Sequence, residues 1–356
     1  MFSRNSNMQI NYSRMNLIHA ITIYIFLINI QSSFLYGRVI NNSSSEKGIA
    51  LRGFSKGLFL DEQILSFEFF PDINVEINAP SADKFDRIKK ISLIFYAIPN
   101  TNSIEQTIGR QRREGLDWHF DIQHIGAQTR FLRDHIKDKS IVVVYLGTRE
   151  ESWPWWRSRH PDSDYLIRSL VDSVRNIFRE FTTEIVLDGH SGGGSFVFGY
   201  INSVNEISSQ VKRISFLDSE YDYSTKLKHG SKIINWLKAE PDHYLCIIAY
   251  DDRDIIINGK NIGTLNGGTL FRSNLMKDDL GKVFYLNKTE DSLFIKYSGL
   301  NGRIKIFLKI NPEHQMWHTL LVEKNGYIES ILSGTIQEEK EYQFWGWRAY
   351  SQYIQP

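Results

Sequence analysis

Glu184-Ile-Val-Leu-Asp-Gly-His-Ser-Gly-Gly-Gly-Ser-Phe-Val-Phe-Gly-Tyr200 carries the strongest local signal in the chain. Residues 185–187 form a short apolar run, and an apolar, helix-compatible segment follows the glycines. Between them, Gly189-His190-Ser191-Gly192-Gly193 sets a serine between glycines placed two residues to either side. A sharp turn from strand into helix forces strained backbone angles on its central residue. A Cβ at the flanking positions would collide with the neighbouring chain. Such a turn lifts a serine hydroxyl above the end of a sheet and aims the next backbone N–H, that of Gly192, toward a developing oxyanion. The pattern predicts Ser191 as a nucleophile; a glycine-rich turn with a surface serine is the other reading of the same residues.

Outward from this stretch, short apolar runs alternate with helical spacings. Residues 91–98 and 141–146 read as buried strands. Ile125, Phe131, Leu132 and Ile136, and then Leu166, Leu170, Val174 and Ile177, fall at helical spacing. After the elbow, residues 213–217 and 244–249 continue the strands, with Ile233, Ile234 and Leu237 marking a helix between them. This alternation predicts a mostly parallel sheet covered on both faces. Upstream, residues 73–78 alternate apolar and polar with period two, the mark of a half-exposed strand at an antiparallel edge. Residues 283–286, 293–297 and 303–308 are β-like runs separated by turn signals such as Asn301-Gly302. Residues 319–332 fit a helix despite Gly326, and a polar, aromatic tail closes the chain.

The 356 residues carry 42% apolar and 23% charged residues with a formal net charge of +1. That near-neutrality gives no support for a nucleic-acid partner. Residues 1–37 have the layout of a secretory signal: a polar start with Arg4 and Arg14, a run of about 14 apolar residues, then small residues. The run is short of the ~20 residues needed to span a bilayer. A secreted or periplasmic protein with no membrane span after cleavage is expected; an uncleaved signal anchoring the protein to the membrane is the alternative. Cleavage before Arg38 removes Arg4 and Arg14 and takes the charge from +1 to −1. Residues 38–50 form a Ser/Asn-rich linker, and residues 51–356 a single domain. The lone cysteine, Cys246, permits no internal disulfide and reads as a buried apolar side chain.

With the elbow and this order of elements, residues 64–335 resemble the α/β-hydrolase superfamily. The resemblance implies an α/β fold with a β-rich insertion at about residues 256–300, before the last strand. It also implies a Ser…Asp/Glu…His triad in that chain order, the acid after a late strand and the histidine after the last. The acid then falls in Tyr250-Asp251-Asp252-Arg253-Asp254. The family-like spacing of Ala249, Asp252 and Ile255 selects Asp252, with Asp251 and Asp254 beside it and Asp218 or Glu220, after the preceding strand, as positional rivals. His318, just before the terminal helix, is preferred to His314. The oxyanion donors are assigned to the backbone of Gly192 and of Asn100 or Thr101. No cofactor and no metal are required.

Other clusters allow two readings each. Asp117-Trp118-His119-Phe120-Asp121-Ile122-Gln123-His124 could line the pocket through His119 and His124, cap a helix, or offer His119, Asp121 and His124 to a metal. Trp153, Trp155 and Trp156 could stack on a sugar or an aromatic acyl group, or pack their loop. His190, beside the serine, is placed with the substrate. Residues 344–347, Phe-Trp-Gly-Trp, read as packing. The expected function is a secreted serine hydrolase acting on a small-molecule or cell-envelope carboxylic ester through an acyl-enzyme, or on an amide as a peptidase or envelope amidase. A non-catalytic glycan-binding protein and a metal-dependent hydrolase are the competing classes.

Overall fold

The structure is a computed structural model that describes residues 48–263 and 267–356. The expected signal segment and nearly all of the linker lie outside the described residues. Among the described residues, eleven strands form one sheet: β1 (Ser55–Lys56), β2 (Gln63–Phe69), β3 (Ile73–Ala79), β4 (Lys90–Ala97), β5 (Lys139–Thr148), β6 (Thr183–Gly189), β7 (Val211–Leu217), β8 (Tyr244–Tyr250), and three late strands. A separate two-stranded hairpin, β9 (Ile256–Ile257) and β10 (Lys260–Asn261), follows β8. The late strands are β11 (Asn287–Glu290), β12 (Phe294–Gly299) and β13 (Ile304–Lys309). The spatial order is β1-β2-β3-β5-β4-β6-β7-β8-β13-β12-β11. β5, β4, β6, β7, β8 and β13 run parallel; β1–β3 and β11–β12 are antiparallel extensions at the two edges.

The parallel strands are apolar almost without interruption because helices cover them on both sides. Along β4 the pleat sends Ile91, Leu93, Phe95 and Ala97 into one core and Ile94 and Tyr96 into the other. The first core is roofed by Trp153 and Trp156 and by helices at Ser163–Ile177, Gly194–Ser203, His229–Ala239 and Thr269–Gly281. The second is closed by Ile125–His135 and two short terminal helices, His318–Glu323 and Gly326–Leu332. Cys246 is buried and unpaired as a disulfide partner.

The late region differs from its expectation in two places. Between the β9–β10 hairpin and the β11–β12 hairpin sits the helix Thr269–Gly281, so residues 283–286 form the turn after a helix rather than a strand. Its apolar residues lie on no clean stripe, which is why periodicity did not disclose it. The single helix expected over residues 319–332 is two helices, broken at Asn325, which takes φ +66°. Gly326 then packs so closely that a Cβ there would sit 1.9 Å from the Leu321 carbonyl oxygen. The tail is split: Phe344 is buried against Phe294 and Phe307, Trp345 stacks edge-on to Trp317, and Trp347 is almost fully exposed.

Candidate active site

Ser191 stands at the end of β6 with φ +55°, in the left-handed region that a non-glycine residue adopts only under constraint. The glycines around it supply that constraint. A Cβ on Gly189 would lie 2.7 Å from the Gly193 carbonyl carbon, one on Gly193 would lie 2.1 Å from the Ala97 carbonyl oxygen, and one on Gly194 would lie 1.8 Å from that of Ser219. The turn thus wedges between the ends of β4 and β7. Gly193 N–H closes it onto the His190 carbonyl at 2.8 Å, and the helix Gly194–Ser203 leaves directly. Ser191 itself is only partly buried.

His318 lies beside this turn. Its Nδ1 contacts Asp218 Oδ2, its side chain is 21% exposed, and its ring centroid is 4.6 Å from that of His190. Asp218 is fully buried at the end of β7, where His190 bridges to Leu217, and its own N–H is fixed on the Ile248 carbonyl. Asp218 also adopts positive φ, +48°. Its second oxygen, Oδ1, accepts the Thr269 hydroxyl. With Nδ1 occupied by the carboxylate, Nε2 is the His318 nitrogen left for proton exchange, and no hydrogen bond to Ser191 Oγ is formed among the described residues. Such contacts are often loose until a substrate seats. A strained, half-buried serine, an imidazole beside its turn and a buried carboxylate against that imidazole are groups from which a nucleophilic hydrolase site can be built.

The sheet topology and the strained turn after β6 make this an α/β-hydrolase fold. No protein-family model matches the sequence, and no curated protein is detectably similar to it. Among solved structures, a thermostable esterase aligns at a TM-score of 0.45 and 10% identity, over 77% of this chain and 63% of that one. The siderophore hydrolase EstB from Aspergillus nidulans aligns at 0.41 and 12%, over 86% and 100%. The thermophilic esterase Est2 from the planctomycete Thermogutta terrifontis aligns at 0.40 and 12%, over 76% and 89%.

Around this centre the expected residues fall differently from their assignment. The carboxylate that meets His318 is that of Asp218, not Asp252. Asp252 is buried, and its Oδ2 accepts the Thr269 N–H at 2.9 Å, at the N-terminus of the helix Thr269–Gly281. Burial, and then the charge of Asp218, push the Asp252 carboxyl up to about 6. Glu220 is fully buried with Oε1 unpaired, and burial together with Asp218 pushes its carboxyl well above the usual range. Burial beside Asp218 thus favours the neutral forms of both Asp252 and Glu220. Asp251 pairs with Arg253, and Asp254 accepts from Asn261 at 3.2 Å.

His314 is exposed, and its backbone carries the β9 end through Ile256 N–H at 3.0 Å. The loop that brings His318 in is held by Asn311. That side chain donates to the Asp251 and Gln315 carbonyls and accepts from Gln315 N–H and Trp317 Nε1, all within 3.0 Å. Nothing in the sequence singled out Asn311 or Thr269.

On the oxyanion side, Thr101 N–H is spent on the Glu151 carbonyl at 2.8 Å and Ile98 N–H on that of Leu146. Pro99 has no donor. Thr101 is therefore withdrawn as an oxyanion donor, and Asn100 stays, facing Gly192.

The substrate-side expectations lose most of their members. His190 is 1% exposed, and its Nε2 donates to the His318 carbonyl at 3.2 Å. Burial and the neighbouring His318 keep its pKa well below the usual histidine value, so the ring is neutral and props the His318 backbone. Trp153 and Trp156 are core residues, with indole N–H groups on the Leu146 and Pro71 carbonyls; Trp155 alone is exposed. His124 is buried and tied to Asp121, which Arg348 also holds, while His119 pairs with Asp117 under Trp118. Among the described residues no cluster of His, Cys, Asp or Glu side chains could hold a metal ion.

Proposed function

We propose that the protein is a serine hydrolase that cleaves carboxylic esters through an acyl-enzyme on Ser191. The observation that carries this reading is the His318–Asp218 contact beside a serine held at φ +55°. His318 Nε2 takes the Ser191 hydroxyl proton as Oγ attacks the ester carbonyl, and returns it to the leaving alkoxide. Asp218 fixes the Nδ1–H tautomer and stabilises the imidazolium that forms. The Gly192 and Asn100 backbone N–H groups stabilise the tetrahedral oxyanion. Water, activated by the same imidazole, then releases the acid. An amide substrate would use the same groups.

Export rests on residues 1–37, whose charged, apolar and small-residue regions follow a signal's order. Among the described residues no helix is long and apolar enough to cross a membrane. The glycan-binding alternative needs a tryptophan platform, and two of its three indoles are buried. Hydrolysis of p-nitrophenyl acetate by purified protein tests the reading. Turnover that disappears in Ser191→Ala supports it, and turnover that Ser191→Ala leaves unchanged refutes it.

A further inference from the structure

The loop after β4 has few donors left to offer an oxyanion, and one of them is a side chain. Ile98 and Thr101 N–H groups are occupied and Pro99 has none, which leaves Asn100, the residue packed on Gly192, to serve through its backbone N–H and its amide. That amide lies flat against the residue after the nucleophile: a Cβ on Gly192 would sit 2.0 Å from Asn100 Oδ1 and 2.9 Å from Nδ2. Oδ1 is buried with no hydrogen-bond partner. Nδ2, by contrast, is not enclosed and makes no hydrogen bond among the described residues. The reverse orientation would bury an orphaned donor instead of an orphaned acceptor, and buried orphan N–H groups are the rarer of the two.

A buried polar atom without a partner costs about 1–3 kcal/mol, so it calls for a reason. We propose that the Asn100 side-chain amide is a catalytic residue, its Nδ2–H donating to the oxyanion beside the Gly192 and Asn100 backbone N–H groups. The unpaired Oδ1 is then the cost of holding Nδ2 at the mouth of the site. A glycine is required at position 192 because any side chain there would displace this amide, independently of the turn geometry. The inference rests on Ser191 being the nucleophile.

Kinetics of Asn100→Ala and Asn100→Asp against p-nitrophenyl acetate test it, together with inhibition by an aryl trifluoromethyl ketone, which forms a tetrahedral adduct on serine. Truncation leaves the backbone donor in place. The side-chain assignment therefore predicts a kcat loss of ~10²-fold with KM little changed, and a matching weakening of the ketone. Asn100→Asp, isosteric but anionic, falls further. If Asn100→Ala keeps kcat and ketone affinity within about threefold of wild type, backbone donors suffice and the proposal is overturned. Should the alanine variant not fold, Asn100→Asp decides alone, since wild-type kinetics in it would equally overturn the proposal. A fluorophosphonate probe on the wild type separates the two levels: failure to label Ser191 defeats the nucleophile itself, whereas labelling with unaffected Asn100 variants defeats only the amide.

Discussion

At the scale of single residues, Asp218 and Asp252 were exchanged. Both follow a parallel strand at its carboxyl end, and sequence offers only spacing to choose between them. Spacing favoured Asp252; contact with His318 favours Asp218. The difference is three-dimensional, because the Asp252 carboxylate is turned toward the start of the helix Thr269–Gly281. Asp218→Asn should lower kcat on the order of 10⁴-fold, as loss of the tautomer-fixing carboxylate does in a serine triad. Asp252→Asn should stay within about tenfold of wild type, or ~1.4 kcal/mol in the barrier. Steady-state kinetics on the two variants checks both.

The same pair predicts a pH dependence of stability. Asp252 has a folded pKa of about 6, above the usual carboxylate value of 3.8. The folded state therefore holds a proton that the unfolded state has released, and stability falls as pH rises from about 4 to about 6. Asparagine removes the titration while its carbonyl can still accept the Thr269 N–H. The stability of Asp252→Asn relative to wild type should therefore increase through that window and level off above it. Denaturant unfolding of both proteins between pH 4 and pH 8 measures the gap; a gap that does not change with pH would contradict the assignment.

Among elements, the turn after β6 was the most legible, because its function and its sterics demand the same residues. Gly189, Gly193 and Gly194 each face backbone, which cannot move aside as a side chain can. Gly194→Ala places a methyl 1.8 Å from the Ser219 carbonyl oxygen and should destabilise by ~3 kcal/mol, the upper range of overpacking, with loss of activity. Thermal unfolding and turnover of that variant test this. The helix Thr269–Gly281 was the least legible element, having neither an apolar stripe nor a side-chain N-cap. It nonetheless supplies Thr269, whose hydroxyl steadies Asp218 and whose N–H steadies Asp252. Thr269→Val should lower kcat roughly tenfold with little change in KM, the size of a lost charge-assisted hydrogen bond, and Thr269→Ser should restore it.

For the whole molecule, the alternation of apolar runs announced the parallel sheet, and the period-two stretch at residues 73–78 announced its antiparallel edge. These signals survive in one sequence because burial on two faces, or on one, imposes a periodicity. The meeting of Asp218 and His318 beside the turn that holds Ser191 imposes none: it joins residues 100 positions apart through the ends of β7 and β13. The tryptophan-rich segment at residues 153–156 shows the converse. Its composition resembled a binding platform, yet two indoles are consumed by the core.

Reaction of the purified protein with a fluorophosphonate, followed by mass mapping of the adduct and labelling rates in Asp218→Asn and Asp252→Asn, tests the catalytic account most directly. The account predicts one adduct, on Ser191, with labelling slowed by orders of magnitude in Asp218→Asn and nearly unchanged in Asp252→Asn. An adduct on another residue, or slow labelling in Asp252→Asn with Asp218→Asn unaffected, would contradict it.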